Sequence, residues 1–303
     1  MLFRSGATLK GKNSDKLFPI HTGKGNNSKS MIKKLIECTF GEYCITFPTS
    51  LFTSSKSNGS AEPAVARSKY AHIAFVQEPD AETPFKSGII KEMTGGDRFF
   101  ARFLHDNGAE FYPMYTLILM CNTIPIIPQC DKAIKNRVKC IPYLSEWVEN
   151  PPKSSDDQFK ERKFLMDPFF ENQLAELAPA MMYYLIKMYS VYRKEGLREP
   201  DIVQKTTAMY WEENDIYGQF IKENIEKAYK EKLGSKGEKI PDDEAIISLP
   251  IMYTRFKDWF RENYPGLKLP DRQIMKGEIE TRLTKCLHKN FYGVKIKNHV
   301  IEV

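Results

Sequence analysis

Gly23-Lys24-Gly25-Asn26-Asn27-Ser28-Lys29-Ser30 follows the spacing of a phosphate-binding loop, GxxxxGK[ST], except that Ser28 stands where the second glycine belongs. Small residues at such positions let backbone N–H groups turn inward around a β-phosphate, and a helix beginning there adds its positive end. Lys29 would then reach the β- and γ-phosphates and the Ser30 hydroxyl would complete a Mg2+ shell. The nucleotide-contacting stretch runs from Gly23 to Met31, the helix's early residue. The alternative is a surface Gly/Asn/Lys turn that holds nothing. If Ser28 must take a positive φ, its side chain adds strain of about 1–2 kcal/mol, which weakens nucleotide handling or leaves the loop idle.

A phosphate loop needs a carboxylate on a neighbouring strand to hydrolyse what it binds. AHIAFVQEPD supplies Glu78 just past an apolar run, where it could polarise an attacking water. Glu78, or Asp80 through a water, could also assist the metal. YTLILMC ends in Asn122, whose amide could hold a γ-phosphate and water in line; an Asn-initiated turn before Pro125 explains it equally well. Arg137 in DKAIKNRVKCIPY could stabilise transition-state charge on a neighbouring subunit's nucleotide, although lone arginines are usually surface residues. The order loop, acid, amide, arginine gives these residues their joint meaning.

To position them the chain needs a sheet. Residues 17–22 (LFPIHT) form an apolar run that could be a buried strand, with Pro19 counting against a central one. MIKKLIECTF places Met31, Ile32, Leu35 and Ile36 at helical spacing, so the loop lies between strand and helix. Further strand candidates are 43–47, 71–76 and 115–121. Apolar runs alternating with helical stretches predict an α/β fold, a phosphate-loop NTPase core with a central sheet flanked by helices. That core occupies residues 1–150. A PPKSSDD linker at 151–157 opens a mainly helical region to 233, in which Met181, Met182, Leu185, Met188 and Tyr189 share one core-facing stripe. A polar stretch at 234–244 precedes a small basic module, 249–303, that could be winged-helix-like or could pack between subunits.

The bulk numbers agree with a globular chain. It has 303 residues, 42% hydrophobic and 28% charged, and no apolar run near the roughly 20 residues that cross a bilayer. With no secretory layout at the N-terminus, no membrane association and an intracellular, soluble location are expected. Six cysteines without CxxC pairs or zinc-finger spacing read as free thiols in a reducing compartment. The net charge of +6 is split into +6 over residues 1–56, −5 in the middle and +5 over 249–303. Basic ends suit a polyanionic partner, although ordinary solvated faces account for them as well.

GKGNNSKS, AHIAFVQEPD, IIKEMTGGDRFFARFL, LILMCNTIPIIP and DKAIKNRVKCIPY, in that order, resemble a superfamily 3 helicase. The match is to the C-terminal helicase portion of the poxvirus-type helicase-primase (NTPase) family of large cytoplasmic DNA viruses, with relatives in phage primase-helicases. TGGD with the following AR is its most specific part, and YWEENDIYGQFIKEN and LPIMYTRFKDWF extend it over nearly the whole chain. The resemblance implies Lys29 and Ser30 on ATP and Mg2+, Glu78 as catalytic acid, Asn122 as first sensor and Arg137 as arginine finger. It further implies an ATP-hydrolysing helicase of viral DNA replication in the host cytoplasm, a hexameric homo-oligomer with ATP between subunits, and single-stranded DNA in the central channel. A primase region or other replication proteins become expected partners. Ser28 departs from the family's glycine. The family's primase region and pre-motor helical domain have no counterpart here, so a C-terminal piece of something longer, or a split gene, is expected.

RFFARFLHDNGAEFYPMYT reads as a hairpin turning at Asp106-Asn107-Gly108. In a ring it would point into the pore, with Lys91, Arg98, Arg102, His105 and Asn107 as phosphate contacts that track backbone without reading sequence. The plainer reading is a surface hairpin whose arginines pair with Glu92 or Glu110. Two other classes compete with a motor. One is a non-catalytic oligomerisation or DNA-binding fragment derived from a motor. The other is a phosphate-loop kinase or packaging ATPase, disfavoured because nothing marks a small-molecule acceptor.

Overall fold

The apolar runs become parallel strands because both of their faces are covered. The computed structural model describes residues 6–54, 63–76, 78–79, 84–101, 108–128, 131–233 and 239–297. Its central sheet contains β1 (Phe18–Thr22), β2 (Cys44–Phe47), β3 (Ile73–Val76), β6 (Thr116–Cys121) and β7 (Val138–Pro142), in the order β2-β3-β6-β1-β7. All four ladders are parallel. Every residue of β3 and β6 is buried, which is the mark of a strand packed on both sides.

Helices α1 (Lys29–Phe40) and α5 (Leu174–Glu195) close one face. Ile36, Phe40, Met181 and Leu185 meet Ile73, Phe75, Ile118 and Met120 there in one apolar cluster. The alternate strand positions Ala74, Val76, Leu117 and Leu119 point the other way by the pleat and are buried too. Met181 and Leu185 belong to the stripe read from the sequence, and their side chains are core. Between these helices lie α2 (Ser87–Gly95), the hairpin strands β4 (Phe99–Ala101) and β5 (Ala109–Phe111), α3 (Lys132–Arg137), and a small β8 (Glu146–Val148), α4 (Ser155–Glu161), β9 (Lys163–Leu165) unit. β4 and β5 pair antiparallel, as a hairpin requires, and Gly108 enters β5 at φ +77.

Two details differ from the sequence reading. β1 is central, between β6 and β7, despite Pro19. Its ladder to β6 begins only at Ile20↔Leu119, so the missing N–H of Pro19 falls before that pairing starts. β7 was not anticipated as a strand, because Lys139 interrupts its apolar run and Pro142 ends it. It is held as the outer partner of β1, and Thr207 Oγ1 of α6 (Asp201–Glu213) accepts from Cys140 N at 2.9 Å.

The chain divides into two units, Met1–Tyr210 and Trp211–Val303. The second contains α7 (Ile216–Asn224), β10 (Ile246–Ser248), α8 (Leu249–Asn263), α9 (Arg272–Arg282), β11 (Cys286–Leu287) and β12 (Asn290–Tyr292). The sheet order is β10-β12-β11, with α8 and α9 inserted after the first strand and a tight hairpin between β11 and β12. Asp271 caps α9, its carboxylate accepting from Gln273 N and Ile274 N. Phe220, Phe256, Trp259 and Phe260 form its aromatic centre, with Phe220 edge-on to Phe256 at 5.2 Å between centroids.

Phe256 is fully buried in that cluster, touching Tyr217, Phe220, Trp259 and Phe260 by ring contacts. Phe256→Ala is expected to destabilise the second unit by about 3–5 kcal/mol. Denaturant unfolding followed by tryptophan fluorescence checks this, and an unchanged midpoint would mean the cluster is not the unit's core.

Candidate functional site

The parallel sheet brings the ends of β1, β6 and β3 side by side, and the loops that leave those ends carry Gly23–Ser28, Asn122 and Glu78. Ligands of open parallel sheets collect at this edge because the strand ends and helix N-termini point to it.

The loop after β1 is shaped by its own side chains. Gly23 has φ +153, and a Cβ there would lie 2.5 Å from Asn27 Nδ2 and 2.8 Å from Tyr143 O, so glycine alone fits. Gly25 has open space around it. Asn26 (φ +55) and Ser28 (φ +68) are both left-handed, and Ser28 is the N-cap of α1. The buried Asn27 is the loop's internal brace: its Nδ2 donates to Lys24 O and its Oδ1 accepts from Lys29 N at 3.3 Å. Ser30 and Met31 lie in the first turn of α1, Ser30 exposed and Met31 half-buried.

Lys29 is only 8% exposed. Its Nζ donates to Gly23 O, to Asn27 Oδ1 at 3.2 Å and to Asn122 Oδ1 at 3.0 Å. Asn122 N in turn donates to Glu78 Oε1 at 2.8 Å. Thr22 Oγ1 donates to Asn122 O at 3.1 Å and Thr49 Oγ1 to Glu78 O at 3.3 Å. An amine, an amide and a carboxylate from distant parts of the chain thus meet in one chain of hydrogen bonds. Burial lowers the pKa of the Lys29 ammonium, while the charge of Glu78 raises it. Burial, reinforced by Glu78, pushes the Cys121 thiol up to about 12, so it stays protonated and does not compete as an anion.

The other sequence candidates lie elsewhere. Arg137 Nε donates to Thr94 Oγ1 at 3.1 Å and its Nη1 to Ala133 O at 2.8 Å, so the guanidinium is tied to α2 and its own helix. Lys91 pairs with Asp131, and Arg98 with Glu110 at 3.4 Å, the latter also lying over the Tyr112 ring. Asp80, Arg102, His105 and Asn107 lie outside the described residues. Sequence reasoning missed Thr22 and Tyr143. Thr22 is the residue before Gly23, a position that local pattern marks only as a strand end. Tyr143 N donates to Thr22 O at 2.8 Å and its hydroxyl meets His21 Nδ1 at 3.0 Å, contacts across more than a hundred residues that no local pattern signals.

The chemistry of this edge suits a polyanion. The Lys29 ammonium rests on neutral oxygens, and an anionic phosphate oxygen makes a stronger partner than a carbonyl does. The exposed Ser30 hydroxyl and Glu78 carboxylate are the hard oxygen donors that Mg2+ takes when phosphates supply the remainder of its shell.

No protein-family model matches the chain. Two viral proteins, both named "Putative helicase", align with it: one of Acanthamoeba polyphaga mimivirus, 29% identical over 279 residues, and one of Frog virus 3 (isolate Goorha), 30% identical over 284 residues. Each alignment covers 91% of this chain and 28% of the viral protein, so the chain spans little more than a quarter of the length of these relatives. Among solved structures, the A form apo structure of the NrS-1 C-terminal region overlays with a TM-score of 0.46 at 15% identity, covering 73% of this chain and 48% of that one. Along most of its own length, the chain is similar to proteins of mimivirus, Frog virus 3 and Invertebrate iridescent virus 6 that are each named putative helicase.

Proposed function

We propose that this chain is the ATP-hydrolysing motor unit of a superfamily 3 viral DNA helicase, acting in viral DNA replication in the host cytoplasm. The observation that carries the reading is the hydrogen-bonded path Lys29–Asn122–Glu78 at the shared end of β1, β6 and β3. Lys29 neutralises the β- and γ-phosphates and holds them to the loop. Glu78, one bond from the Asn122 backbone, accepts the proton of the attacking water or orients it. The Asn122 amide aligns the terminal phosphate and that water with the carboxylate. Ser30, with Glu78 or Asp80 through a water, would hold Mg2+, which would supply charge neutralisation of the phosphates.

Arg137 would serve a neighbouring subunit's nucleotide in a homo-oligomeric ring, after exchanging Thr94 for phosphate. Single-stranded DNA is the proposed substrate of the β4–β5 hairpin, with Lys91, Arg98, Arg102, His105 and Asn107 as phosphate contacts. The Lys91–Asp131 and Arg98–Glu110 pairs do not oppose this, because exposed ion pairs are worth about 0–1 kcal/mol and yield to a polyanion.

Ser28 favours a second reading, a non-catalytic oligomerisation or DNA-binding module derived from a motor. Its left-handed backbone costs about 1–2 kcal/mol for a residue with a Cβ. The two readings separate on nucleotide turnover. Under the motor reading, Glu78→Gln keeps ATP affinity while DNA-stimulated phosphate release falls about 10²- to 10⁴-fold, and Lys29→Ala loses binding and turnover together. Wild-type protein that binds DNA tightly with no measurable ATP affinity would establish the second reading instead.

Ser28→Gly removes the strain and incurs glycine's chain-entropy cost of about 0.5–1 kcal/mol, so a net gain of up to about 1.5 kcal/mol is expected. Thermal unfolding of the two proteins measures it. A lower melting temperature for the glycine variant would mean that the serine side chain contributes a contact worth more than its strain.

A further inference from the structure

The chain beyond β7 stays bonded to the phosphate loop. Tyr143 N donates to Thr22 O at the loop's root, and Trp147 N donates to Asn26 O at its outer side, both at 2.8 Å. The stretch between them therefore runs along the loop and leaves the Trp147 backbone fixed beside residue 26. Trp147 lies in β8, in register with Phe164 of β9, and the two rings sit 5.5 Å apart between centroids. Phe159 of α4 meets Phe164 edge-on at 5.4 Å from the other side. Phe164 is half-buried between them, whereas Trp147 is 36% and Phe159 70% exposed. An indole braced by a phenyl ring and open to solvent is a surface held ready for stacking.

We propose that Trp147 is the stacking platform for the base of a purine nucleoside triphosphate whose phosphates occupy the 23–30 loop. This rests on the nucleotide reading of that loop. A triphosphate gripped by the N–H groups of 23–28 and by Lys29 must project its ribose and base outward past the loop. The Trp147–Asn26 bond stations the Trp147 backbone beside the exposed residue 26 of that loop, and its indole is 36% exposed. Stacking on an aromatic face tolerates either purine and favours the larger ring system over a pyrimidine. The exposed apolar face of Trp147 and Phe159 would thereby acquire a small-molecule partner.

The test compares ATP with inorganic tripolyphosphate, which has the phosphates and no base. Both are titrated by calorimetry, with Mg2+, into the full chain and its Trp147→Ala, Trp147→Phe and Lys29→Ala variants. Trp147→Ala is expected to weaken ATP about 5- to 150-fold and leave tripolyphosphate unchanged. Trp147→Phe keeps most of the ATP affinity, and Lys29→Ala weakens both ligands. The proposal is overturned if Trp147→Ala leaves ATP affinity unchanged, or weakens both ligands alike. A shift in oligomeric state on sedimentation, or loss of single-stranded DNA binding with ATP affinity retained, would assign the ring to another chain or to DNA and overturn it too. Wild-type protein that binds neither ligand would overturn the phosphate-loop reading itself, and this proposal with it. Binding of both ligands with ATP affinity independent of Trp147 would leave that reading standing and remove only the stacking platform.

Discussion

A positively charged nitrogen with little access to water has to be solvated by something else, and at Lys29 the fold does this with oxygens from three places. Gly23 supplies a backbone carbonyl, Asn27 a side-chain amide from within the loop, and Asn122 an amide from the end of β6. An ammonium left without such partners at 8% exposure would cost several kcal/mol or lose its proton. The rest of the site follows from meeting that demand. Asn122 reaches Lys29 only because β6 lies next to β1 and runs the same way, and Glu78 reaches Asn122 only because β3 lies on the other side of β6. Parallel order, buried strands and a loop without a side chain at Gly23 are all requirements of one buried charge.

Much of this framework was legible along the chain. The short apolar runs at 17–22, 43–47, 71–76 and 115–121 correspond to β1, β2, β3 and β6, since strands buried on both faces cannot carry charge in their middle. The helix after the loop, the hairpin around Gly108 and the core stripe at Met181 and Leu185 follow from periodicity and turn chemistry in the same way. β7 escaped notice because an edge strand tolerates Lys139 and Pro142, which erase the apolar signature. Pro19 misled because the rule against proline in a central strand concerns a lost donor, and the β1–β6 ladder begins one residue later.

What the sequence could not reveal is contact between distant segments. The fit of Gly23 against Tyr143, the tether of Arg137 to Thr94 and the bond of Trp147 to Asn26 join residues with no common local pattern. The Tyr143 and Trp147 contacts lie against the 23–30 loop, whereas the Arg137 tether lies at the opposite end of the sheet. Within the loop, the Asn27 amide oxygen accepts from both the Lys29 amide and its ammonium, the two donors that a phosphate oxygen would meet. In the proposed motor, a nucleotide would replace this internal hydrogen-bond network with a stronger, charge-assisted one.

That exchange is open to direct observation in a structure of the chain with Mg2+ and a non-hydrolysable ATP analogue. Lys29 Nζ should leave Gly23 O and Asn27 Oδ1 for oxygens of the β- and γ-phosphates, with Glu78 and Asn122 facing the terminal phosphate. An analogue bound elsewhere while Lys29 stays on Gly23 O, or no bound analogue at saturating concentration, would contradict the nucleotide site.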